Sequence, residues 1–502
     1  MNKFILLLLL ITLFTFTGKS QPVNGEVLQN SNPYVIKVWG NHYERGYATG
    51  YLLAQPIYDI YTGYILPLFG SNLALAKTML QEGSTLQIEA NMISEAQGVI
   101  DGMTAAGITA TGFDYLDLLL GNTFLDVQNI NTFLNMPGSS PGCSSLISWG
   151  DATSGTSIDG KSMITRNLDW STNAPIINNQ AIVIHLPSES DEQPWLMIGF
   201  AGQIGVLSGV NQSGLGLFQH SMSDSYSTGS LGLHYQPIWF CLRNALEKAD
   251  YNGDGFCNTL DMRSSVLSSI NGYADGFIIS AIAKNTFGND SLTAMIAELA
   301  PAQPTMIFRD NTFPDSIPGD NLYAANYEIK RLNHMHFCSR YDAVKNALNS
   351  TSGNGIDKAD SWEIMADSSS AGFNNVQMMQ YIPEDDALWV SFHSGDSPAS
   401  ENTPVFYNLA ELFMPTNVSS SSIIPSSFFY PNPGNATLHF NCTDFELQKV
   451  RFISSDGICC FTIEGSSIYK EINTECWNSG LYIVEITKKD GSTLISKWIK
   501  LP

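Results

Sequence analysis

The sequence predicts a layered α+β body followed by a small C-terminal β-sandwich. Apolar residues recur at three- and four-residue spacing through a segment from about residue 30 to 130, in the runs 51–66, 75–80 and 93–99. From residue 143 the sequence pattern changes to short apolar runs separated by turn residues. Blocks of these runs alternate with further helical segments. This alternation favours α/β or α+β layers over a helical bundle or an all-β sandwich.

Each element of the body follows from local pattern. The stretch 135–142, rich in Gly, Ser and Pro, ends the helical segment, and apolar runs of strand length begin directly after it. We expect strands at 143–149, 162–165, 181–185, 195–200, 205–210, 215–218, 277–282, 293–298, 376–383 and 387–393. We expect helices at 239–248, 262–270 and 338–348. The predicted domains are a helical N-terminal segment at 21–142, a body at 143–415, a Ser-rich linker at 416–427 and a β-domain at 428–502.

Charge excludes one class of partner. The 502 residues carry 24 Lys and Arg against 47 Asp and Glu, a net charge of −23 at pH 7. Because no basic stripe is available to neutralise phosphates, we expect no nucleic-acid partner. The acidity suits an extracellular protein or one that holds hard cations.

The first twenty residues indicate a secretory signal peptide. Lys3 precedes an uninterrupted apolar run from 4 to 16, and small residues lead to Pro22. A buried N-terminal helix is the alternative, but thirteen consecutive apolar residues offer it no polar face. We expect cleavage near Ser20 and Gln21, and no transmembrane segment in the mature chain, since no later apolar run approaches ~20 residues.

The eight cysteines do not form a disulfide framework, because the chain is long and lacks a CxxC pair. Cys442, Cys459, Cys460 and Cys476 cluster in the C-terminal segment, where one or two bridges of unassigned pairing are possible. Cys143 stands apart, directly after the Gly- and Pro-rich loop.

Chemistry is concentrated around Cys143. It opens one predicted strand, and the next strand ends in Arg166 and Asp169. In a hairpin these two side chains reach back to the start of the first strand, where a guanidinium and a carboxylate are expected to lower the pKa of the thiol. The alternative is a buried structural cysteine beside a structural Arg–Asp pair.

Three polar residues later in the chain complete a pattern. Asn211 lies in a tight turn between two strands, Asn326 follows a strand, and Arg340 lies in the first turn of a helix. Each is ordinary alone. Their order after a Gly–Cys pair is specific.

This set resembles the cysteine branch of the N-terminal-nucleophile hydrolases, and most closely the acyl-coenzyme A:6-aminopenicillanic-acid acyltransferase family. Choloylglycine hydrolases and penicillin V acylases are more distant relatives. The upstream run Val-Trp-Gly-Asn-His-Tyr-Glu-Arg-Gly-Tyr at 38–47 is similar to that family's opening motif, so the resemblance covers roughly residues 34–410. It implies an αββα four-layer sandwich.

The resemblance also implies roles. An internal bond between Gly142 and Cys143 would be cut autocatalytically, freeing Cys143 as the nucleophile with its own α-amino group as general base. An α-amino group has an ordinary pKa of ~7.7–8.0 and needs no histidine partner. The remaining roles are carried over residue by residue: Arg166 and Asp169 hold the thiolate and amino group, Asn211 and Asn326 the oxyanion and substrate carbonyl, Arg340 supports them, and Glu44 and Arg45 are structural.

A second motif predicts a calcium loop. Residues 250–261 place oxygen donors at positions 1, 3, 5, 9 and 12 with Gly255 at position 6, the arrangement of an EF-hand loop similar to the dockerin type. The expected ligands are Asp250, Asn252, Asp254, the carbonyl of Phe256, Asn258 and Asp261. The loop occurs once, so a cohesin partner is not expected; the alternative is a polar Asx turn. His334 and His336 form the only close histidine pair, without the acidic or Cys partners of a metal site, and no organic cofactor is expected.

The C-terminal segment resembles the type A sorting domain of the type IX secretion system. The matching signatures are Phe429-Tyr430-Pro431-Asn432-Pro433-Gly434, Ser455-Asp456-Gly457, Ser479-Gly480-Leu481-Tyr482-Ile483-Val484 and Lys497-Trp498-Ile499-Lys500. An adhesive β-domain is the alternative. The resemblance implies export to the cell surface or exterior by the type IX secretion machinery.

Two functions follow. The first is a secreted, autoproteolytic cysteine amidohydrolase or acyltransferase that cleaves the C–N bond of a small acyl-amide or peptide through a Cys143 thioester. The alternative is a catalytically inactive, calcium-stabilised binding protein of the cell surface on the same fold.

Overall fold

The structure is a computed structural model of the 502-residue chain. It describes residues 22–108, 112–133, 142–222, 227–286, 288–331, 339–351, 355–367, 371–372, 374–415, 429–431, 433–440, 447–454, 459–464, 471–488 and 493–501. The chain divides into two compact units, Met1–Phe413 and Met414–Pro502. The predicted signal peptide, linker and His334–His336 pair lie outside the described residues.

The first unit contains two sheets. The larger has nine strands, β1 (Gly25–Gln29), β2 (Tyr34–Gly40), β5 (Gln180–Pro187), β6 (Trp195–Phe200), β7 (Ser208–Asn211), β8 (Gly216–Ser221), β9 (Phe277–Ile282), β10 (Ala294–Leu299) and β11 (Met306–Arg309), in that spatial order. The smaller has six strands in the order β12 (Asn321–Ala324), β3 (Gly142–Ser148), β4 (Met163–Asp169), β13 (Asn375–Ile382), β14 (Ala387–Phe392) and β15 (Val405–Asn408). All neighbours are antiparallel except β2 and β5, which run parallel.

Helices cover the outer faces of both sheets. They are α1 (His42–Leu52), α2 (Ala54–Ile60), α3 (Leu66–Phe69), α4 (Leu73–Glu82), α5 (Ala90–Ala105), α6 (Tyr115–Gln128), α7 (Ala174–Ile177), α8 (Ile238–Glu247), α9 (Thr259–Leu267), α10 (Asp290–Thr293), α11 (Ser339–Ser350), α12 (Lys358–Ala366) and α13 (Leu409–Leu412). A π-helical turn, Tyr61–Ile65, joins α2 to α3.

Three apolar cores separate four layers. The first packs α1, α2, α5, α6 and α8 on the nine-stranded sheet, with Ile57, Phe124 and Leu246 among its members. The second lies between the sheets, where Ile164 of β4 and Ile198 of β6 are both buried. The third packs α11 and α12 on the far face of the six-stranded sheet. This is the αββα four-layer sandwich that the family resemblance implies, and the prediction is confirmed.

The N-terminal segment is not wholly helical, and the prediction of helix from about residue 30 is wrong at its start. β1 and β2 occupy residues 25–40, and β2 pairs with β5 inside the nine-stranded sheet. Ile36 of β2 faces the helices, whereas Val35 faces the other sheet. A strand buried on both faces has no polar alternation, so period alone does not distinguish it from a buried helix.

Glycine allows α1 and α5 to approach closely. A Cβ atom on Gly46 would overlap the backbone oxygen of Glu95, and one on Gly50 would overlap that of Val99. The contact is reciprocal, since Gly98 and Gly102 of α5 lie against backbone oxygens of α1. The two helices therefore touch backbone to backbone, and neither can retreat without leaving the first core.

The C-terminal unit is a small β-sandwich, as predicted. Its sheets are β16 (Phe429–Tyr430), β17 (Thr437–Phe440) and β20 (Glu471–Asn473), and β19 (Cys459–Glu464), β18 (Leu447–Ser454), β21 (Gly480–Lys488) and β22 (Thr493–Lys500). Leu438 of one sheet and Phe452 of the other share one core with Trp498, whose indole nitrogen donates to the carbonyl of Pro431 at 2.9 Å. The first and last sorting signatures thus meet in space.

The glycine contact generates a prediction. Gly98→Ala should lower the free energy of unfolding by about 1–3 kcal/mol, because the new methyl group meets the rigid backbone of α1. The control is Gln97→Ala, an exposed neighbour on α5, which should stay within about 0.5 kcal/mol of wild type. Urea unfolding curves measure both, and equal midpoints for the two variants would contradict the close contact.

Candidate active site

The hairpin of β3 and β4 builds the centre of the site. Gly142 pairs with Asp169 and Cys143 with Leu168, so the start of one strand meets the end of the other, as predicted. The Cys143 side chain is fully buried against the first core. Gly142 leaves room for the Asp169 carboxylate, since a Cβ there would lie 3.1 Å from Oδ2.

Arg166 lies between the sheets, next to the thiol. Its Nη2 is 3.7 Å from Cys143 Sγ and donates to the carbonyl of Gln219 on β8 at 2.8 Å. The Nε and Nη1 atoms of Arg166 are buried without a hydrogen-bond partner among the described residues. A buried cation therefore faces the sulfur with donor capacity to spare.

The thiol is nevertheless not acidic in this continuous chain. Burial raises the pKa of Cys143 to about 11, the Asp169 carboxylate acts in the same direction, and Arg166 and Arg340 only partly oppose them. The expectation of a lowered pKa is therefore wrong for the uncut chain, because loss of hydration outweighs the guanidinium groups.

The backbone of Cys143 is held on both sides. Its N–H donates to Asn326 Oδ1 at 2.9 Å, and its carbonyl accepts from Arg340 Nη1 at 3.3 Å. Arg340 Nη2 also donates to Asn326 Oδ1 at 2.6 Å, and Nη1 lies 3.5 Å from Asp169 Oδ2. Asn326 Nδ2 donates to the carbonyl of Ser221 at 2.7 Å. Asn326 thus presents its acceptor, not its donor, to Cys143.

Asp169 is oriented by a residue that the sequence did not reveal. Asn375, at the start of β13, donates from Nδ2 to Asp169 Oδ1 at 3.1 Å. Burial raises the pKa of the Asp169 carboxyl, although Asn375 and the two guanidinium groups oppose the rise. No local signal distinguishes Asn375 from an ordinary residue at a strand start.

Asn211 does not join the other predicted residues, and its predicted contact with the site is wrong. Its Oδ1 accepts the N–H groups of Gly214 and Leu215 at 3.1 and 2.9 Å, which closes the turn after β7. Its Nδ2 donates to the carbonyl of Leu246 at 3.0 Å and lies 3.3 Å from Cys257 Sγ. The oxygen of the amide is occupied by the turn and its nitrogen by the end of α8, so neither is left for a substrate.

Gln219 is a polar residue on β8 that sequence reasoning missed. Its carbonyl shares Arg166 Nη2 with the Cys143 sulfur, and its Oε1 accepts from Trp239 Nε1 at 3.2 Å. Its Nε2 is buried without a partner in the described part of the chain. No local signal distinguishes Gln219, because the same strand also carries His220 and Ser221.

An aromatic cavity adjoins these groups. Trp170 follows Asp169 directly, and Phe124 stacks edge-on against both Trp170 and Trp239, with ring centroids 5.8 and 5.7 Å apart. The cavity measures about 30 Å³ and is also lined by Tyr61, Tyr64 and Phe200.

Five of the six predicted calcium ligands lie on the loop between α8 and α9, and the sixth, Asp261, lies in the first turn of α9. Gly255 has a φ of +90° and donates its N–H to Asp250 Oδ2 at 2.7 Å, which is the sharp turn expected at position 6. Asp254 accepts the Phe256 N–H at 2.9 Å. Asn258 instead caps α9, with its Oδ1 accepting from Leu260 N at 2.8 Å and Asp261 completing the capping box.

A separate cluster of buried charges surrounds His42 and Arg45, in the motif near the N terminus. His42 lies 2.9 Å from Glu95 and 3.2 Å from Glu192, and Arg45 lies 2.7 Å from Glu247. Arg243 of α8 completes it, 2.6 Å from Glu95 and 2.9 Å from Glu247. Glu44, by contrast, forms a capping box with Asn41 at the start of α1.

This cluster is a set of ion pairs. His42, Glu189 and Glu192 bring ligand-type atoms within 4.8 Å of one another, the one such group among the described residues. Arg45, however, already lies 3.7 Å from Glu189. Burial alone would lower the pKa of His42, but the hydrogen bonds that the imidazole donates to Glu192 and Glu95 outweigh it and raise the pKa to about 9. A protonated imidazole is not a metal ligand.

The C-terminal unit matches a known protein family. Residues 428–501 match the family model described as "Secretion system C-terminal sorting domain". The C-terminal unit is thus a sorting domain that directs the chain to the cell surface or exterior by type IX secretion. None of the helices in the described ranges has the length and apolarity needed to cross a membrane.

Relatives of the first unit are remote. Protein dcd1B of Dictyostelium discoideum is 24% identical over 298 residues, covering 57% of this chain and 54% of its own length. The chain therefore spans about half the length of this curated relative.

Three solved structures are similar in part. They are an N-acylethanolamine-hydrolyzing acid amidase ortholog of Caenorhabditis elegans (14% identity, TM-score 0.35, 48% of this chain and 93% of that one), a variant conjugated bile acid hydrolase of Clostridium perfringens (12%, 0.34, 54% and 93%) and a penicillin V acylase of Agrobacterium tumefaciens (10%, 0.32, 53% and 84%).

The charge cluster generates a prediction about pH. A pKa of about 9 for His42 in the folded chain, against ~6.5 when unfolded, means that its stabilisation is complete below ~6.5 and is lost as pH rises through 9. The free energy of unfolding of wild type should therefore exceed that of His42→Gln by on the order of 3 kcal/mol at pH 6, and this gap should close by pH 10. Unfolding curves of both proteins at several pH values measure the gap, and a gap independent of pH would contradict a charged His42.

Proposed function

We propose that this chain is a secreted, self-processing cysteine amidohydrolase or acyltransferase whose nucleophile is Cys143. The observation that carries the proposal is the convergence of three supports on one residue: Arg166 at the sulfur, Asn326 at the nitrogen and Arg340 at the carbonyl. A structural cysteine needs none of these, whereas a residue whose sulfur attacks and whose nitrogen leaves needs all of them.

The first reaction would be the cut between Gly142 and Cys143. Cys143 Sγ attacks the carbonyl carbon of Gly142 and the C–N bond breaks. The nitrogen of Cys143 keeps its hydrogen and takes up the proton that the thiol loses, so that it becomes an amine. Water then hydrolyses the thioester, leaving the Gly142 carboxylate and the free thiol. Asn326 Oδ1 already accepts the N–H of Cys143 in the uncut chain, so it is positioned to hold the amine that is released.

The second reaction repeats this chemistry on an external amide. The free α-amino group of Cys143, with an ordinary pKa of ~7.7–8.0, takes the thiol proton and later returns it to the leaving amine. The acyl group stays on the sulfur as a thioester until water or an acceptor amine removes it.

Gln219 is the best candidate for stabilising the oxyanion. Its unpartnered Nε2 is a buried donor, and Trp239 fixes the orientation of its amide. Such a donor is worth ~3–4 kcal/mol of barrier when it is aimed at the developing charge. Arg166 adds positive charge at the sulfur, where the thiolate forms.

The aromatic side chains that follow Asp169 favour an apolar acyl group near the site. Because the cavity among Trp170, Phe124 and Trp239 measures only about 30 Å³, which is room for about one water molecule, a hydrocarbon or aromatic acyl chain would bind there only after these rings move.

The loop 250–261 is proposed to hold one structural Ca²⁺. Asp250, Asn252 and Asp254 supply hard oxygen donors on one turn, and Gly255 adopts the backbone conformation that such loops need at position 6. Asp261 accepts the N–H groups of Tyr251 and Asn252 and so closes the loop.

Processing of the chain tests the nucleophile. Cys143→Ala should remain a single uncut chain without activity, and Cys143→Ser should cut slowly, since a hydroxyl still attacks a carbonyl. Because the thiol pKa is about 11 in the uncut chain, the cutting rate of wild type should rise by about tenfold per pH unit from pH 7 to 9. Intact mass spectrometry against time measures all three proteins.

Two outcomes would contradict this mechanism. An uncut wild type that is active would exclude self-processing as its source of activity. An uncut and inactive wild type would favour the alternative function, a binding protein of the cell surface.

Two amide residues provide a matched comparison for the oxyanion donor. Gln219→Glu keeps the size but replaces the donor by an acceptor, so the rate of cutting should fall by about 10²–10³-fold. Asn211→Ala should instead lower the melting temperature, because two turn N–H groups lose their acceptor, and leave cutting within about threefold. If Asn211→Ala slowed cutting and Gln219→Glu did not, the oxyanion donor would be Asn211 and not Gln219.

Calcium dependence tests the loop. Because an ion that binds only the folded state stabilises it, and extracellular modules of this kind bind at ~10⁻⁴–10⁻³ M, millimolar Ca²⁺ should raise the melting temperature. Asp250→Ala and Asp254→Ala should abolish this rise, whereas Glu82→Ala, an exposed acid at the end of α4, should keep it. Melting curves unchanged by Ca²⁺ and chelator in all four proteins would show an Asx turn only.

A further inference from the structure

Asn326 lies on a turn that the edge of the nine-stranded sheet holds from one side. Glu298 of β10 is fully buried and points at the segment after Asn326. Its Oε1 accepts the N–H of Ile329 at 3.0 Å, and its Oε2 accepts those of Lys330 and Arg331 at 2.9 and 2.7 Å. One carboxylate thus fixes three successive backbone groups.

The same carboxylate binds a cation that holds the other side of the turn. Arg309 of β11 lies 3.0 Å from Glu298 Oε1, and its Nη2 donates to the carbonyl of Tyr323 at 2.6 Å. Tyr323 belongs to β12, which pairs directly with β3. Arg309 Nη1 lies 2.9 Å from Asp315, which keeps the guanidinium in place.

We propose that Glu298 and Arg309 form a positioning pair that sets the location of Asn326 Oδ1 and, through it, the nitrogen of Cys143. Arg309 anchors the residue three before Asn326, and Glu298 anchors the residue three after it. The pair links β10 and β11 of the nine-stranded sheet to β12 of the six-stranded sheet and to the turn that contains Asn326.

The physical reason is the narrow tolerance of a reacting geometry. A shift of about 1 Å at an attacking or leaving atom costs on the order of 10²-fold in rate. Asn326 lies two residues beyond the end of β12, so its position depends on the rigidity of the turn that follows the strand. The buried pair supplies that rigidity, because four hydrogen bonds to one carboxylate leave the turn a single arrangement.

This inference rests on the proposed function, and a double-mutant cycle in the self-cutting reaction tests it. Glu298→Gln keeps the side-chain shape but turns a donor toward N–H groups, so cutting should slow by at least tenfold. Asn326→Ala should slow it as much or more. If Glu298 acts through Asn326, the double variant should cut no more than about twofold more slowly than Asn326→Ala alone.

A second readout separates positioning from stability. Asn326 Oδ1 accepting from the freed amino group favours its charged form, so the pKa of that group should be lower in processed Glu298→Gln than in wild type. The pH dependence of N-terminal labelling of the processed chain measures this pKa. Glu298→Asp, which keeps both oxygens, should recover part of the cutting rate.

A matched control lies at the other end of β4. Glu384 also accepts backbone N–H groups, those of Ser162 and Asn285, but Ser162 precedes β4 whereas the site adjoins its last residue. Glu384→Gln should lower the melting temperature and leave the cutting rate and amino-group pKa within twofold of wild type. Arg309→Lys, which loses the bond to Tyr323, repeats the cycle if Glu298→Gln does not fold.

The outcomes are distinct. Normal cutting by wild type together with wild-type rates in Glu298→Gln, or full additivity in the cycle, would overturn the positioning pair alone. A wild-type chain that stays uncut would overturn the proposed function and this inference with it.

Discussion

Gly142 lies opposite Asp169, and Cys143 lies opposite Leu168. This register decides which side chains share a face, because a slip of one residue would move each of them to the other side of the sheet. With the observed pairing, Cys143 and Arg166 lie on the same face of the hairpin, where Arg166 Nη2 approaches the sulfur to 3.7 Å. The carbonyl of Gln219, the amide of Asn326 and the guanidinium of Arg340 then approach from three other elements.

Buried charged side chains occur in two kinds of environment in this protein. Around His42 three cations meet four carboxylates, those of Glu95, Glu189, Glu192 and Glu247, so the loss of a buried member would leave another charge in the interior without its partner. Arg166 is different, since among the described residues it forms no ion pair and two of its nitrogen atoms bind nothing. Such a cation is costly in the resting chain and becomes favourable when the sulfur beside it turns negative. Under the proposed mechanism, Arg166 would stabilise the negative charge that the sulfur carries only during the reaction.

The sequence predicted the layers and most of the centre, and the reasons differ by residue. Cys143, Arg166 and Asp169 were recoverable because two adjacent strands and a turn bring them together, and hairpin geometry is a local property. Asn326 and Arg340 followed from order along the chain. Gln219, Asn375 and Glu298 were missed because their roles depend on contacts between distant segments, and each reads alone as a polar residue in a strand.

Two predictions failed for physical reasons. Asn211 has an amide side chain, which can stabilise an oxyanion. Its oxygen instead accepts the N–H groups of its own turn, because a local hydrogen bond forms in preference to a distant one. The thiol pKa was expected to fall beside two guanidinium groups, yet the sequence gives no measure of how completely Cys143 is removed from water. The direction of the pKa shift of Cys143 is decided by its burial, and burial depends on the whole fold.

The place of β2 in the nine-stranded sheet has a consequence for how the protein persists outside the cell. β2 lies before the proposed cut and β5 after it, and the two are neighbouring strands of one sheet. Once the chain is in two pieces, unfolding separates them and refolding becomes a bimolecular encounter, which extreme dilution outside a cell makes very slow. The processed protein would then survive by the height of its unfolding barrier and not by an equilibrium with its unfolded parts. Secretion would release a molecule that is assembled once and lasts only until it first comes apart.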